Sequence, residues 1–276
     1  MQLGYNTNGL VHHHPLQAIE LLADIGYGSV ALTIDHGLCS PFEDDWRQQV
    51  DRLRRLLERL KMRSVVETGA RYLLDPRRKH EPTLMSPLAA DRTRRVEFLQ
   101  HAIEVASLLG SDCVSLWSGV LLDHVDADVA LNRLTAELEL VVDSAVKKKV
   151  VLGFEPEPGM FIDTTASFRR LLQWIDVPEL QLTMDVGHLY CQGEVPIRDY
   201  IHRWKDRIVN VHLEDMRAGV HEHLMFGEGE MDFRPILHAF REIGYQGGLH
   251  VELSRHSHEA PVIAQQAFDC LAKWMV

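Results

Sequence analysis

The sequence predicts an α/β chain folded as one closed (β/α)8 barrel. Three observations carry this: eight short apolar runs, a helical pattern after each of them, and no glycine-rich phosphate turn behind the first. Eight such units in roughly 250 residues suit a barrel. An open doubly wound sheet would carry the glycine-rich turn, and "NTNGLVHHH" does not supply it.

The strands are short and mostly rich in β-branched residues, as expected where both faces are buried. They are read at 3–7, 29–34, 63–68, 113–118, 150–155, 180–185, 208–213 and 248–253. The first is followed by "PLQAIELLADIGYG", with Pro15 in the first helical turn and glycine at the close. After the second, "DDWRQQVDRLRRLLERLK" has apolar residues at three- and four-residue spacing with charges opposite. The third leads into a long connection, 69–91, which carries Arg71, Arg77, Arg78, Lys79 and His80. It reads as a lid over the barrel mouth with cationic contacts for substrate. Helices follow at "DRTRRVEFLQHAIEVASLLG", "DADVALNRLTAELELVVDSAVKKK", "TTASFRRLLQWI", "VPIRDYIHRW", "FRPILHAFREIG" and "APVIAQQAFDCLAKWM". No linker or low-complexity segment interrupts them, so residues 1–276 form a single domain.

Composition narrows the function. Hydrophobic residues at 46% give enough material for a sizeable core. The net charge of −11 repels polyphosphate, and the nearest basic stretch, "DPRRKH" at 75–80, is short. Nucleic acid is therefore disfavoured as a partner. Cys39, Cys113, Cys191 and Cys270 are scattered without CxxC spacing, which implies reduced thiols. No signal-peptide layout or membrane-length apolar run is present, so the expected setting is the cytoplasm, without a membrane partner.

In such barrels chemistry collects at the C-terminal ends of the strands. There the chain puts Asp35 and His36, then Glu67, then Trp117 and Ser118, then Glu155 followed by Glu157. Asp185 with His188, His212 with Glu214 and Asp215, and Glu252 with Arg255, His256 and His258 complete the set. Glu155, Asp185, His212 and Glu252 end four consecutive strands. Hard oxygen donors with one nitrogen suit a divalent cation: Mn2+ first, with Mg2+, Co2+ or Zn2+ also admitted. Three acids at one mouth would otherwise repel each other. Gly187 is read as a tight turn that brings His188 beside Asp185, facing substrate. His221 and His223 stand two apart in an extended segment, so both point to one side. They suit a second metal or substrate hydroxyls. "GEG" at 227–229 is read as a turn, Asp232 as a helix cap, and His12–His14 as a barrel-mouth loop.

These motifs resemble those of the xylose isomerase-like TIM barrels, which include ketose 3-epimerases, hydroxypyruvate isomerase, inosose dehydratase and endonuclease IV. The resemblance runs along the whole chain and is strongest over 150–256. It implies Glu155 in "GFEPEPG", Asp185 in "MDVGH", His212 in "NVHLED" and Glu252 in "HVELS" as metal ligands. It further implies Glu155 and Glu252 as the acid/base pair of an isomerase or epimerase working through a cis-enediolate on a small carbohydrate. His188, His223, His221, Glu157, Trp117, Glu67 and Arg255 are left for substrate or a second metal. A homo-oligomer is compatible with the resemblance. A dehydratase on the same site, or a metal-dependent phosphodiesterase like endonuclease IV, are the alternatives. Against the latter, "VHEHLMFGEG" has His221 where that enzyme has an acid, and its first-half histidines are missing. Arg217 does not sit in the motif that holds the substrate arginine of the ketose epimerases.

Overall fold

Strand β2 (Ser29–Thr33) is buried at every position, and its neighbours differ little, because each strand has helices on one side and the lumen on the other. The structure, a computed structural model, describes residues 1–275. Its remaining barrel strands are β1 (Gln2–Asn6), β3 (Arg63–Glu67), β4 (Val114–Leu116), β5 (Leu152–Phe154), β6 (Leu180–Asp185), β7 (Ile208–Leu213) and β10 (Gly248–Val251). They pair in parallel in the order β1-β10-β7-β6-β5-β4-β3-β2 and close on themselves. The predicted barrel is therefore present, with all eight strands where the sequence put them.

Helices α1 (Pro15–Ile25), α2 (Trp46–Leu60), α3 (Ala89–Leu109), α4 (Ala127–Lys148) and α5 (Thr165–Leu171) cover the first five strands. After β6 the chain makes two short helices, α6 (Val186–Cys191) and α7 (Ile197–Trp204); α8 (Phe233–Glu242) and α9 (Ala260–Trp274) complete the ring. Pro15 opens α1, Thr164 and Ser167 form a reciprocal cap on α5, and Asp232 accepts from Arg234 N at the start of α8. The helix expected over 164–175 stops at Leu171.

Two loops hold unpredicted structure. Residues 215–224 form an antiparallel hairpin, β8 (Asp215–Arg217) with β9 (Val220–Leu224). The Asp215 carboxylate accepts from the N–H groups of Gly227, Gly229 and Met231, which shapes the turn after it. The segment between β3 and α3 is irregular but tied down by buried Leu73, Leu74, Leu84 and Met85. Its "DPRR" turn faces solvent, with Arg78 donating to Asp75, while Arg71, Lys79 and His80 line the barrel mouth. Arg77 and Arg78 thus lie apart from the mouth, because Asp75 holds the turn outward. No helix among the described residues is long and apolar enough to cross a membrane.

The two faces of the barrel strands differ in chemistry. Outward residues such as Val30, Leu32, Val66, Phe154, Leu182 and Val251 join the core under the helices. Along the alternate face a small apolar cluster of Ala31, Val65 and Cys113 lies apart from that core. The lumen is otherwise polar. Across it His250 Nδ1 donates to Asn210 Oδ1 (2.8 Å) and His250 Nε2 lies 2.9 Å from Ser29 Oγ, and Ser115 Oγ lies 3.0 Å from Thr183 Oγ1. Glycines make the room: a Cβ on Gly4 would stand 2.3 Å from the His250 ring. Gly4→Ala is therefore expected to destabilise the fold by about 1–3 kcal/mol through overpacking. Urea unfolding measures this, and an unchanged midpoint would mean the lumen is looser than described.

Candidate active site

Asp185 ends β6 and caps α6. Its Oδ1 accepts from His188 N at 2.8 Å, which fixes the carboxylate, while Oδ2 is buried with no hydrogen-bond partner among the described residues. Around that free oxygen the ends of β5, β7 and β10 bring Glu155, His212 and Glu252. One ligand atom from each of the four lies within 4.8 Å of every other. Cation–ligand bonds of about 2.0–2.3 Å span such a set from one central point. The chemistry of the donors, two buried carboxylates and a half-buried one with an imidazole, also fits a divalent cation.

The imidazole has a defined orientation. His212 Nδ1 faces the carboxylates, 3.0 Å from Glu155 Oε1 and 3.0 Å from Glu252 Oε2. On the far side Nε2 donates to Glu67 Oε1 at 2.9 Å. Asn210 Nδ2 donates to the same Glu67 oxygen, and Asn210 Oδ1 accepts from His250 and from Val211 N. A carboxylate behind a ligating histidine fixes its tautomer and raises its basicity. Glu67 was expected to meet substrate or a second metal; it lines the mouth, and its Oε1 is engaged behind His212.

Burial and charge set the protonation. Burial pushes the Glu155 carboxyl up to about 8 against the pull of His212, whereas at Glu252 burial is outweighed by His212, His223 and Asn8 together, which hold the carboxyl well below its usual range. Burial would lower His212, yet Glu155, Glu67 and Glu252 together lift it well above its ordinary value. Burial takes His188 down to about 3 and His250 to about 3, so both are neutral.

A second cluster adjoins the first. His188 Nε2 is 3.1 Å from His221 Nε2, and nitrogens of His188, His221 and His223 lie within 4.8 Å of one another. His223 Nδ1 donates to Glu252 O, and His188 Nδ1 to Pro156 O, which leaves the Nε2 atoms converging. Glu157 stands 3.6 Å from His221 and 3.7 Å from His188. Here the reading of "VGH" needs correction. Gly187 is helical and not in the left-handed region; it is glycine because a Cβ would come within 2.0 Å of Glu214 Oε1. His188 is buried behind His221 and does not line the mouth.

The mouth is a cavity of about 200 Å3. Trp117 lines it with its ring 4.2 Å from the buried Arg95 guanidinium, and Arg255 stands at the rim paired with Glu222. Sequence reasoning missed Asn8, whose Nδ2 donates to Glu252 Oε1 at 2.7 Å. It also missed Asn210 and His250, which sit inside strands. Of the tag-like triplet, His12 bonds Ser257 and His13 borders an adjoining cavity. Cys191 is a buried residue of α6.

Comparison with known proteins gives three findings. The family model described as xylose isomerase-like TIM barrel matches residues 19–274. Inosose dehydratase from Lacticaseibacillus casei is 31% identical over 146 residues, 47% of this chain and 49% of that protein, so the chain spans about half the length of that curated relative. L-ribulose-5-phosphate 3-epimerase from Salmonella paratyphi A is 24% identical over 250 residues, 89% of this chain and 84% of that one. Among solved structures, the IolI protein with a bound zinc atom has a TM-score of 0.78 at 15% identity, covering 100% of this chain and 98% of that one, a likeness of fold.

Glu67→Gln keeps the shape but weakens the charge behind His212. It is expected to reduce Mn2+ or Zn2+ affinity about 10–100-fold, as read by chelator competition. Affinity equal to wild type would mean His212 does not ligate through Nδ1.

Proposed function

Since this chain belongs to the xylose isomerase-like TIM barrel family, we propose that it is a divalent-metal-dependent sugar isomerase or epimerase with Glu155 and Glu252 as its acid/base pair. One observation supports the reading: both carboxylates approach the same His212 nitrogen at 3.0 Å, within a four-residue set whose spacing suits a cation. Glu155, Asp185, His212 and Glu252 would hold the ion, with Mn2+ the first candidate and Mg2+, Co2+ or Zn2+ others. When bound, it supplies Lewis acidity that polarises a carbonyl and its neighbouring hydroxyl and so acidifies the C–H beside the carbonyl.

The protein's own groups then move the proton. One glutamate takes it, leaving a cis-enediolate of the sugar, and the other, protonated beforehand from solvent, delivers its own proton to the opposite face, which inverts that carbon; exchange with solvent then resets the pair. Return to the adjacent carbon instead interconverts aldose and ketose. Asn8 fixes one oxygen of Glu252 and leaves the other toward His212. Asn8 Oδ1 is buried without a partner among the described residues and suits a substrate hydroxyl. Trp117 and the irregular segment after β3 wall the cavity against water, with Lys79 and Arg71 offering donors.

A dehydratase is the second reading, favoured by the relative at 31% identity. It shares the proton abstraction but expels a β-hydroxyl. The assay separates the two: epimerisation or isomerisation in D2O yields a product of unchanged formula carrying solvent deuterium, whereas dehydration yields one lacking water.

With saturating Mn2+, Glu155→Gln and Glu252→Gln are each expected to lower deuterium incorporation about 10²–10⁴-fold. Full exchange in both variants would remove them from the acid/base role. Asp185→Asn is expected to lose metal and turnover together. His188→Ala should keep one equivalent of metal by elemental analysis while turnover falls, because His221 at the mouth loses the ring it rests on. Loss of a further equivalent would instead make His188, His221 and His223 a second cation site.

A further inference from the structure

The irregular segment after β3 places His80 on the wall of the mouth. Its backbone is left-handed, with φ at +66°, and its N–H donates to Arg71 O at 2.6 Å. Glycine takes this conformation most easily. Two other non-glycine residues found there, Lys61 and Lys149, close helices α2 and α4, where the conformation is a common stop signal. His80 closes no helix. A histidine kept in that region beside a binding cavity points to a use for its side chain.

The ring is fixed as firmly as the backbone. Nδ1 lies 3.1 Å from Ala70 O, and a carbonyl oxygen only accepts, so the neutral ring carries its proton on Nδ1. The imidazole meets the Trp117 indole in a T-shaped arrangement, with centroids 5.7 Å apart and planes at 78°. The buried Arg95 guanidinium stands 4.2 Å from that same indole. Burial takes the imidazole down to about 4, with Lys79, Arg95 and Arg71 adding to the effect and Ala70 O opposing it. The ring is therefore neutral near pH 7, and Nε2 carries a lone pair. That nitrogen has no partner among the described residues, yet it is not sealed from the cavity.

A bare acceptor in this position selects its ligand by what it can donate. Arg71 and Lys79, which line the same mouth, are donors and answer oxygens of any kind. Nε2 answers a hydroxyl, because an ether or carboxylate oxygen has no proton to give. A ligand lacking the hydroxyl displaces water from Nε2 and leaves the nitrogen unmatched. We propose that His80 is a specificity-determining residue of this site: Nε2 accepts a hydrogen bond from a hydroxyl on the substrate's carbon chain, beyond the carbons held over Glu155 and Glu252, and so distinguishes a hydroxylated chain from a deoxygenated one. This rests on the metal-dependent isomerase or epimerase reading for what occupies the floor. No proton of the reaction passes through His80.

The test uses Zn2+-loaded protein and two four-carbon probes, L-threonohydroxamate and butyrohydroxamate. Each grips a divalent cation through its two hydroxamate oxygens, and only the first carries hydroxyls on its chain. By calorimetry the wild type is expected to bind the first about tenfold more tightly, or better. His80→Gly accepts the left-handed turn and removes the acceptor. It is expected to weaken threonohydroxamate about 3–10-fold and to leave butyrohydroxamate unchanged. Long-range 15N–1H NMR of the His80 ring, assigned by its loss in that variant, is expected to show the proton on Nδ1 at pH 7. Its Nε2 signal should shift when threonohydroxamate binds. Equal weakening of both probes would make His80 a packing residue and overturn the proposal. A proton on Nε2, or no weakening in the variant, would overturn it too. Those outcomes leave the metal site standing. If neither probe binds the wild type, the cation reading falls and the proposal falls with it.

Discussion

His212 is held between carboxylates on both sides, and the rest of the barrel interior is arranged around that clamp. Glu67 takes one ring nitrogen at 2.9 Å, while Glu155 and Glu252 take the other at 3.0 Å. Buried like charges at such separations are costly unless each is paired and hydrogen-bonded. The chain meets that demand residue by residue. Asn8 donates to Glu252, Asn210 donates to Glu67, and His188 N donates to Asp185. Among the described residues of the site, the inward oxygen of Asp185, the pair on Glu214 and Asn8 Oδ1 remain unmatched.

That clamp dictates an unusual lumen. Barrels of this architecture fill their centre with layers of branched aliphatic side chains. Here His250, Asn210, Ser29, Ser115 and Thr183 take much of that space, because the donors behind Glu67 and His212 must come from the strands themselves. Gly4, Gly153 and Gly248 accommodate them, since a Cβ at each would overlap His250 or Thr183. The lumen therefore contributes orientation, and the apolar shell between strands and helices contributes the cohesion.

The sequence made the barrel legible because fully buried strands leave unbroken apolar runs, and the helices between them keep a clear period. Glu155, Asp185, His212 and Glu252 were legible for a related reason: each stands at the last or next-to-last position of such a run. Asn210 and His250 were not. They lie within runs, and their roles depend on cross-strand register, His250 pairing with His212 on β7 and Gly4 on β1. Gly187 was singled out for the wrong property, since a lone glycine after a strand does not reveal whether angle or space requires it. Its neighbour Glu214 arrives from 27 residues further along the chain, which no local pattern encodes.

Floor and rim of the site are built by different means, and this separates reaction from substrate. The floor residues sit on strand ends or on the first turn of α6, where backbone pairing and capping hold them. The rim comes from the turn after β1, the irregular segment after β3 and the β8–β9 hairpin. These are held by a few contacts of their own, such as the Asp215 carboxylate on three backbone N–H groups and the Asn6 side-chain Oδ1 on Asn8 N. Changing a rim residue alters which molecule reaches the floor without disturbing the clamp on His212, as loops on a rigid scaffold generally allow. Asn8 breaks the separation: it belongs to the rim turn yet donates to Glu252 on the floor. A change in that turn therefore reaches the carboxylates as well as the rim, as does a change at His223 of the hairpin, whose Nδ1 donates to Glu252 O.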